Sequence, residues 1–118
     1  MGEADDDWIA LGTLDDYRDH VPVALAHRGW KLLTFRDGER LHLYENRCTH
    51  AATRLDTGRL RDCEVSCPLH GARFDLRDGT VTKGPATRAL TGFEVREVEG
   101  VFEARVPEKP VPPPVRWR

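Results

Sequence analysis

The chain has 118 residues, of which 39% are hydrophobic and 32% charged. That is the size and balance of one globular domain. Eighteen Lys and Arg stand against 20 Asp and Glu, a formal net charge of -2. The basic excess of a nucleic-acid binder is absent, and no apolar run approaches the ~20 residues that cross a bilayer. The amino terminus, Met1 to Asp7, is acidic and polar where a secretory signal would be basic and then apolar, so a cytoplasmic location is expected. Three cysteines cannot all pair in disulfides, and in such a chain they read as metal ligands or buried thiols.

In chain order, the first expected strand is Trp8 to Leu11, followed by a polar turn or one helical turn over Thr13–Asp19. Val21–Ala26 and Trp30–Phe35 flank His27-Arg28-Gly29 and read as a hairpin. Arg36-Asp37-Gly38-Glu39 then turns the chain into Leu41–Tyr44, with Leu41 and Leu43 on one face and His42 on the other. After Glu45 the alternation fails for about thirty residues. It resumes at Val81, at Phe93–Val98 and at Val101–Val106, the last two joined by Glu99-Gly100. The pattern predicts an all-β sandwich or barrel with an irregular insertion that holds every cysteine. The tail from Pro107 to Arg118 carries five of the eight prolines and reads as extended polyproline chain, or as a strap anchored by Trp117.

Inside the insertion stand Cys48-Thr49-His50 and Cys67-Pro68-Leu69-His70, with sixteen residues between His50 and Cys67. Each segment offers one thiolate, a strong donor suited to ferric iron, and one neutral imidazole, which leaves its metal easier to reduce. A structural zinc site could also use two cysteines and two histidines, but C-x-H spacing suits zinc knuckles poorly. The other residues have plainer readings. Cys63 is expected to be a small buried thiol beside the strand Glu64-Val65-Ser66. His20, His27 and His42 read as solvated. Asp56-Thr57-Gly58 and Asp78-Gly79 read as turns in which glycine supplies positive φ.

The arrangement C-x-H, sixteen residues, C-x-x-H resembles the ligand motif of Rieske [2Fe–2S] proteins. The likeness continues through Gly71-Ala72-Arg73-Phe74-Asp75, Asp78-Gly79 and Gly84-Pro85-Ala86, with compatible flanks over about Trp8–Val106. The resemblance implies a Rieske-type fold, an antiparallel β-sandwich or barrel base (1–45 and 77–106) carrying an inserted cluster-binding subdomain (46–76). It implies one [2Fe–2S] cluster, with Cys48 and Cys67 on the inner iron and His50 and His70 on the outer. Gly71 would let the backbone approach the cluster, and Pro85 would belong to the loop that covers it. Respiratory-chain members brace their ligand loops with an extra pair of cysteines; Thr53 and Leu69 occupy those positions here, so no such bridge is expected. They also direct Ser and Tyr hydroxyls at cluster sulfurs, where this chain has Ala72 and Phe74. Without those hydrogen bonds the more negative reduced state is less stabilised, which predicts a potential on the order of -150 mV.

These features are similar to ferredoxin components of bacterial ring-hydroxylating dioxygenases and related multicomponent oxygenases. The implied role is a non-enzymatic one-electron carrier between a flavin-dependent NAD(P)H reductase and a terminal oxygenase. Both would dock transiently near His50 and His70, on an apolar tip of Leu69 and Pro85 rimmed by Arg54, Asp56, Arg59, Arg73 and Lys83. A monomer suits a carrier that shows one tip to two partners. An oxygenase's own iron centre would need two further histidines and a carboxylate in a separate domain, for which this length leaves no room. The alternatives are a Rieske-like small subunit of an assimilatory nitrite reductase and a non-redox zinc-binding interaction module.

Overall fold

The computed structural model describes residues 7–50 and 53–109. Its strands are β1 (Trp8–Gly12), β2 (Val23–His27), β3 (Trp30–Asp37), β4 (Arg40–Glu45), β5 (Arg59–Arg61), β6 (Glu64–Ser66), β7 (Arg73–Asp75), β8 (Val81–Lys83), β9 (Gly92–Phe93), β10 (Val95–Val98) and β11 (Val101–Arg105). They form three antiparallel sheets, ordered β1-β11-β10, β2-β3-β4-β9 and β5-β6-β7-β8. Among the described residues the only helical element is a 3-10 turn, Leu14–Asp16. No helix there is long and apolar enough to cross a membrane.

The second sheet is the middle layer, and β3 shows why. Leu32, Leu33, Thr34 and Phe35 are all buried although alternate strand residues face opposite ways. Leu32 joins Leu41, Leu43, Phe102, Ala104 and Val106 in a core shared with the first sheet. Leu33 and Phe35 join Tyr44, Leu55, Val65, Phe74, Cys48 and Cys67 in a second core, shared with the third sheet. Thr34 is tolerated between them because its hydroxyl donates to the Val23 carbonyl at 3.1 Å.

The thirty-odd residues without alternation are not wholly irregular. They supply three strands of three residues each, too short for a period of two to declare itself. β8 pairs with β7, so the cluster-side sheet runs past the expected boundary at residue 76. The expected strand Phe93–Val98 is divided at Glu94: Phe93 pairs with β4 while Val95 pairs with β11, so the chain changes sheets there.

Three histidines expected in solvent are partly buried. His42 does lie opposite Leu41 and Leu43, but that face is covered, and its ring stacks on Tyr44 with centroids 6.2 Å apart. Nε2 of His42 and of His27 are buried without a hydrogen-bond partner. His20 bonds Asp37. Gly79 does take positive φ, +80°, but Gly58 does not. A Cβ at Gly58 would overlap the Ser66 carbonyl oxygen, so that glycine serves close packing between the β5 entry and β6. The start of the proline-rich tail docks on the base: Trp30 Nε1 donates to the Pro107 carbonyl at 2.7 Å, and Lys109 Nζ lies 3.5 Å from Glu45. Trp117 lies outside the described residues.

Candidate metal centre

The first ligand segment leaves β4 at Glu45 and is folded around one buried side chain. Asn46 Oδ1 accepts the backbone N–H groups of Leu55 (2.7 Å) and Asp56 (3.2 Å), and its Nδ2 donates to Asp56 Oδ1 at 2.7 Å. This closes the loop between residues 46 and 56. Within it the Cys48 N–H donates to the Thr53 carbonyl at 2.8 Å, holding Cys48 fully buried while His50 stands exposed two residues on. Arg54 pairs with Asp56 at 2.7 Å and holds its carboxyl below the usual range.

The second segment is the connection from β6 to β7. The Cys67 N–H donates to the Ala72 carbonyl at 2.7 Å and the Gly71 N–H returns to the Cys67 carbonyl at 3.0 Å. Gly71 closes this turn at φ +76°, and a Cβ there would meet no protein atom within 4 Å. The left-handed backbone is therefore the visible demand for glycine. Cys67 is buried, whereas Pro68, Leu69 and His70 are exposed, Leu69 at 59%. A third loop, after β8, carries the cis Gly84–Pro85 bond and an exposed Pro85, then buries Ala86 beside the cysteines. It is tied to the first segment through the Thr49 hydroxyl, which donates to the Arg88 carbonyl at 2.7 Å.

These loops bring the predicted ligands into one place. Cys48 and Cys67 are buried in the same core, and the His50 and His70 rings meet edge to face with centroids 5.3 Å apart. Two imidazoles on one tetrahedral metal at about 2.1 Å would set their centroids roughly 5 Å apart. The donor set, two buried thiols and two exposed imidazoles with one of each per loop, fits a binuclear iron–sulfur cluster. Ala72 and Phe74 are fully buried and offer no hydroxyl.

A family model described as the Rieske [2Fe-2S] domain matches residues 7–96. The chain belongs to the Rieske [2Fe–2S] family. It is 31% identical over 100 residues to the anthranilate 1,2-dioxygenase ferredoxin subunit of Burkholderia cepacia, covering 85% of this chain and 93% of that one. Among solved structures it is similar to the ferredoxin of carbazole 1,9a-dioxygenase from Nocardioides aromaticivorans IC177, with a TM-score of 0.72, 29% identity, and 85% of this chain and 98% of that chain covered. The ferredoxin in a complex of reduced oxygenase and oxidized ferredoxin in carbazole 1,9a-dioxygenase matches with a TM-score of 0.75, 26% identity, and coverage of 89% and 98%. This Rieske protein is accordingly a ferredoxin-type electron carrier with one [2Fe–2S] cluster.

Around the Rieske site, the five charges expected at the rim separate into two groups. Arg54 and Asp56 neutralise each other. Arg59, Ser66, Arg73 and Lys83 are successive cross-strand partners, so they form one row across the third sheet at the end that carries the Cys67 loop. No carboxylate lines the concavity formed by Arg59, Ser66, Cys67, Gly71, Arg73 and Lys83, and none of the three cations has an ion-pair partner among the described residues. Sequence reasoning missed Asn46 and the Thr49–Arg88 tie. An asparagine immediately after a strand is a turn signal, but its partners nine and ten residues on are set by the folded loop.

Proposed function

We propose that Cys48 and Cys67 hold the inner iron and His50 and His70 the outer one, and that the chain carries single electrons from a flavin-dependent NAD(P)H reductase to a terminal oxygenase of the ring-hydroxylating type. The observation that carries this reading is the pair of exposed imidazoles, 5.3 Å apart, standing over buried thiols. When bound, the [2Fe–2S] cluster supplies a one-electron couple. The four side chains hold it so that the outer ligands are the first atoms a partner meets. Leu69 adds an exposed apolar contact beside His70, with Pro85 exposed on the neighbouring loop. Arg59, Arg73 and Lys83 would steer an acidic partner face toward the tip, as suits a small, transient electron-transfer contact. The likeness to ferredoxin components of dioxygenase systems, one of them solved with its oxygenase, supports an oxygenase as the acceptor. Residues 46–76 with β8 act as the cluster-binding unit on a β base, in a monomer working in the cytoplasm.

Anaerobic reconstitution with iron and sulfide tests the reading. The expected product is a coloured protein that a flavin-dependent reductase reduces and a ring-hydroxylating oxygenase reoxidises. Serine at Cys48 or Cys67 should abolish assembly, whereas Cys63→Ser should leave it intact. A colourless product from the unaltered chain would refute it.

A further inference from the structure

Cys63, His20 and Asp37 take no part in this machinery, yet three separate segments bring them together. His20 Nε2 lies 2.9 Å from Asp37 Oδ1 and 3.6 Å from Cys63 Sγ, and the three donor atoms fall within 4.8 Å of one another. Both contacts use the same ring nitrogen. A neutral imidazole nitrogen either donates or accepts, so it cannot satisfy both neighbours. If it donates to Asp37, the sulfur faces an N–H already committed. If it accepts from the thiol, the carboxylate faces a lone pair. The shared nitrogen also rules out a Cys–His–Asp relay, in which the acid and the nucleophile occupy opposite ring nitrogens. A cation placed among the three atoms takes one lone pair from each.

We propose that His20, Asp37 and Cys63 form a second metal site, distinct from the iron–sulfur centre, that binds a zinc-type divalent ion. Tetrahedral zinc with Zn–S of about 2.3 Å and Zn–N of about 2.0 Å separates sulfur from nitrogen by about 3.5 Å. The observed 3.6 Å matches that separation. The 2.9 Å between His20 and Asp37 is a hydrogen bond that would open slightly on binding. The donors are held in advance. The His20 backbone N–H donates to the Arg36 carbonyl at 2.9 Å, the Asp19 carboxylate accepts the Gly38 N–H at 2.8 Å, and the His20 ring stacks on Phe35. His20 and Asp62, next to Cys63, both occupy left-handed backbone, at φ 62° and 56°. A concavity lined by His20, Arg61, Asp62, Cys63, Glu64 and Arg77 gives an ion access to the site. The charge of Arg77 is opposed by its two contacts with Asp75, at 3.0 and 2.7 Å. His20 and Asp37 belong to the base and Cys63 to the third sheet, so the ion would clasp the two units together.

The test uses the holo-protein with its iron–sulfur absorption intact, dialysed free of other divalent ions and titrated with Zn2+ against a chromophoric chelator. One zinc should bind per chain and raise the thermal midpoint while the visible spectrum stays constant. Cys63→Ser and, independently of its folding, His20→Gln should each weaken binding by about 100-fold. Cadmium NMR of the Cd2+ form should report a thiolate ligand. Failure to bind zinc at micromolar free ion, an affinity in either variant equal to the parent's, or zinc uptake accompanied by bleaching of the iron–sulfur absorption would each overturn the site. None of these outcomes bears on the electron-carrier reading.

Discussion

Three hydrogen bonds of one buried side chain close the first ligand loop, in a chain whose three cysteines are all buried. Asn46→Ala would strand the Leu55 N–H, 2.7 Å from its present acceptor and buried, at a cost of about 1–3 kcal/mol. Urea denaturation should register that loss, and the reconstituted variant should shed iron faster than the parent under a chelator. Equal stability and equal iron retention would show that Asn46 is not the brace. The candidate ligands stood out in the sequence because cysteine and histidine are scarce and their spacing is constrained. Cys63 is buried as expected, but no spacing in the sequence brings positions 20, 37 and 63 together. Gly58 was misread for a related reason: its glycine answers to the Ser66 carbonyl across a strand pair, not to its own φ.

Among the elements, long strands with clean alternation were legible: β3, β4 and β11 fall where Trp30–Phe35, Leu41–Tyr44 and Val101–Val106 place them, within a residue or two. β5, β6 and β7 were not, because three residues cannot display a period and Arg-Leu-Arg carries its charges on a solvent face. Register is what the sequence hides, and register aligns Arg59, Ser66, Arg73 and Lys83. If this row steers partners, Arg73→Glu combined with Lys83→Glu should slow electron delivery to the oxygenase by about tenfold at low ionic strength and flatten its salt dependence. Stopped-flow reoxidation of the reduced carrier measures both. A rate and salt slope equal to the parent's would place docking elsewhere.

For the whole molecule, three groups share one sign of proton linkage. Burial pushes His42 below its ordinary 6.5, outweighing Asp37, Asp75 and Asp78, which pull upward, and Arg40 adds to the decrease. Arg54 and Arg77 hold Asp56 and Asp75 below their ordinary 3.8. Each group therefore binds its proton at higher pH in the unfolded chain than in the folded one. The stability it contributes is complete above its ordinary value and is lost as pH falls through the folded value. Loss should begin below 6.5, through His42, and deepen in strong acid through the two carboxylates. His42→Gln should flatten the first part of the decline in urea midpoints between about pH 7.5 and about pH 5. An unchanged slope would mean that another group governs it.

The two buried cores and the exposed His50–His70 pair suit a body that keeps its thiols dry and its imidazoles accessible. A potentiometric titration of the reconstituted protein tests this account most directly. Because Ala72 and Phe74 offer no hydroxyl to the cluster sulfurs, one reversible one-electron wave is expected on the order of -150 mV. A clearly positive midpoint, or no one-electron wave, would contradict it.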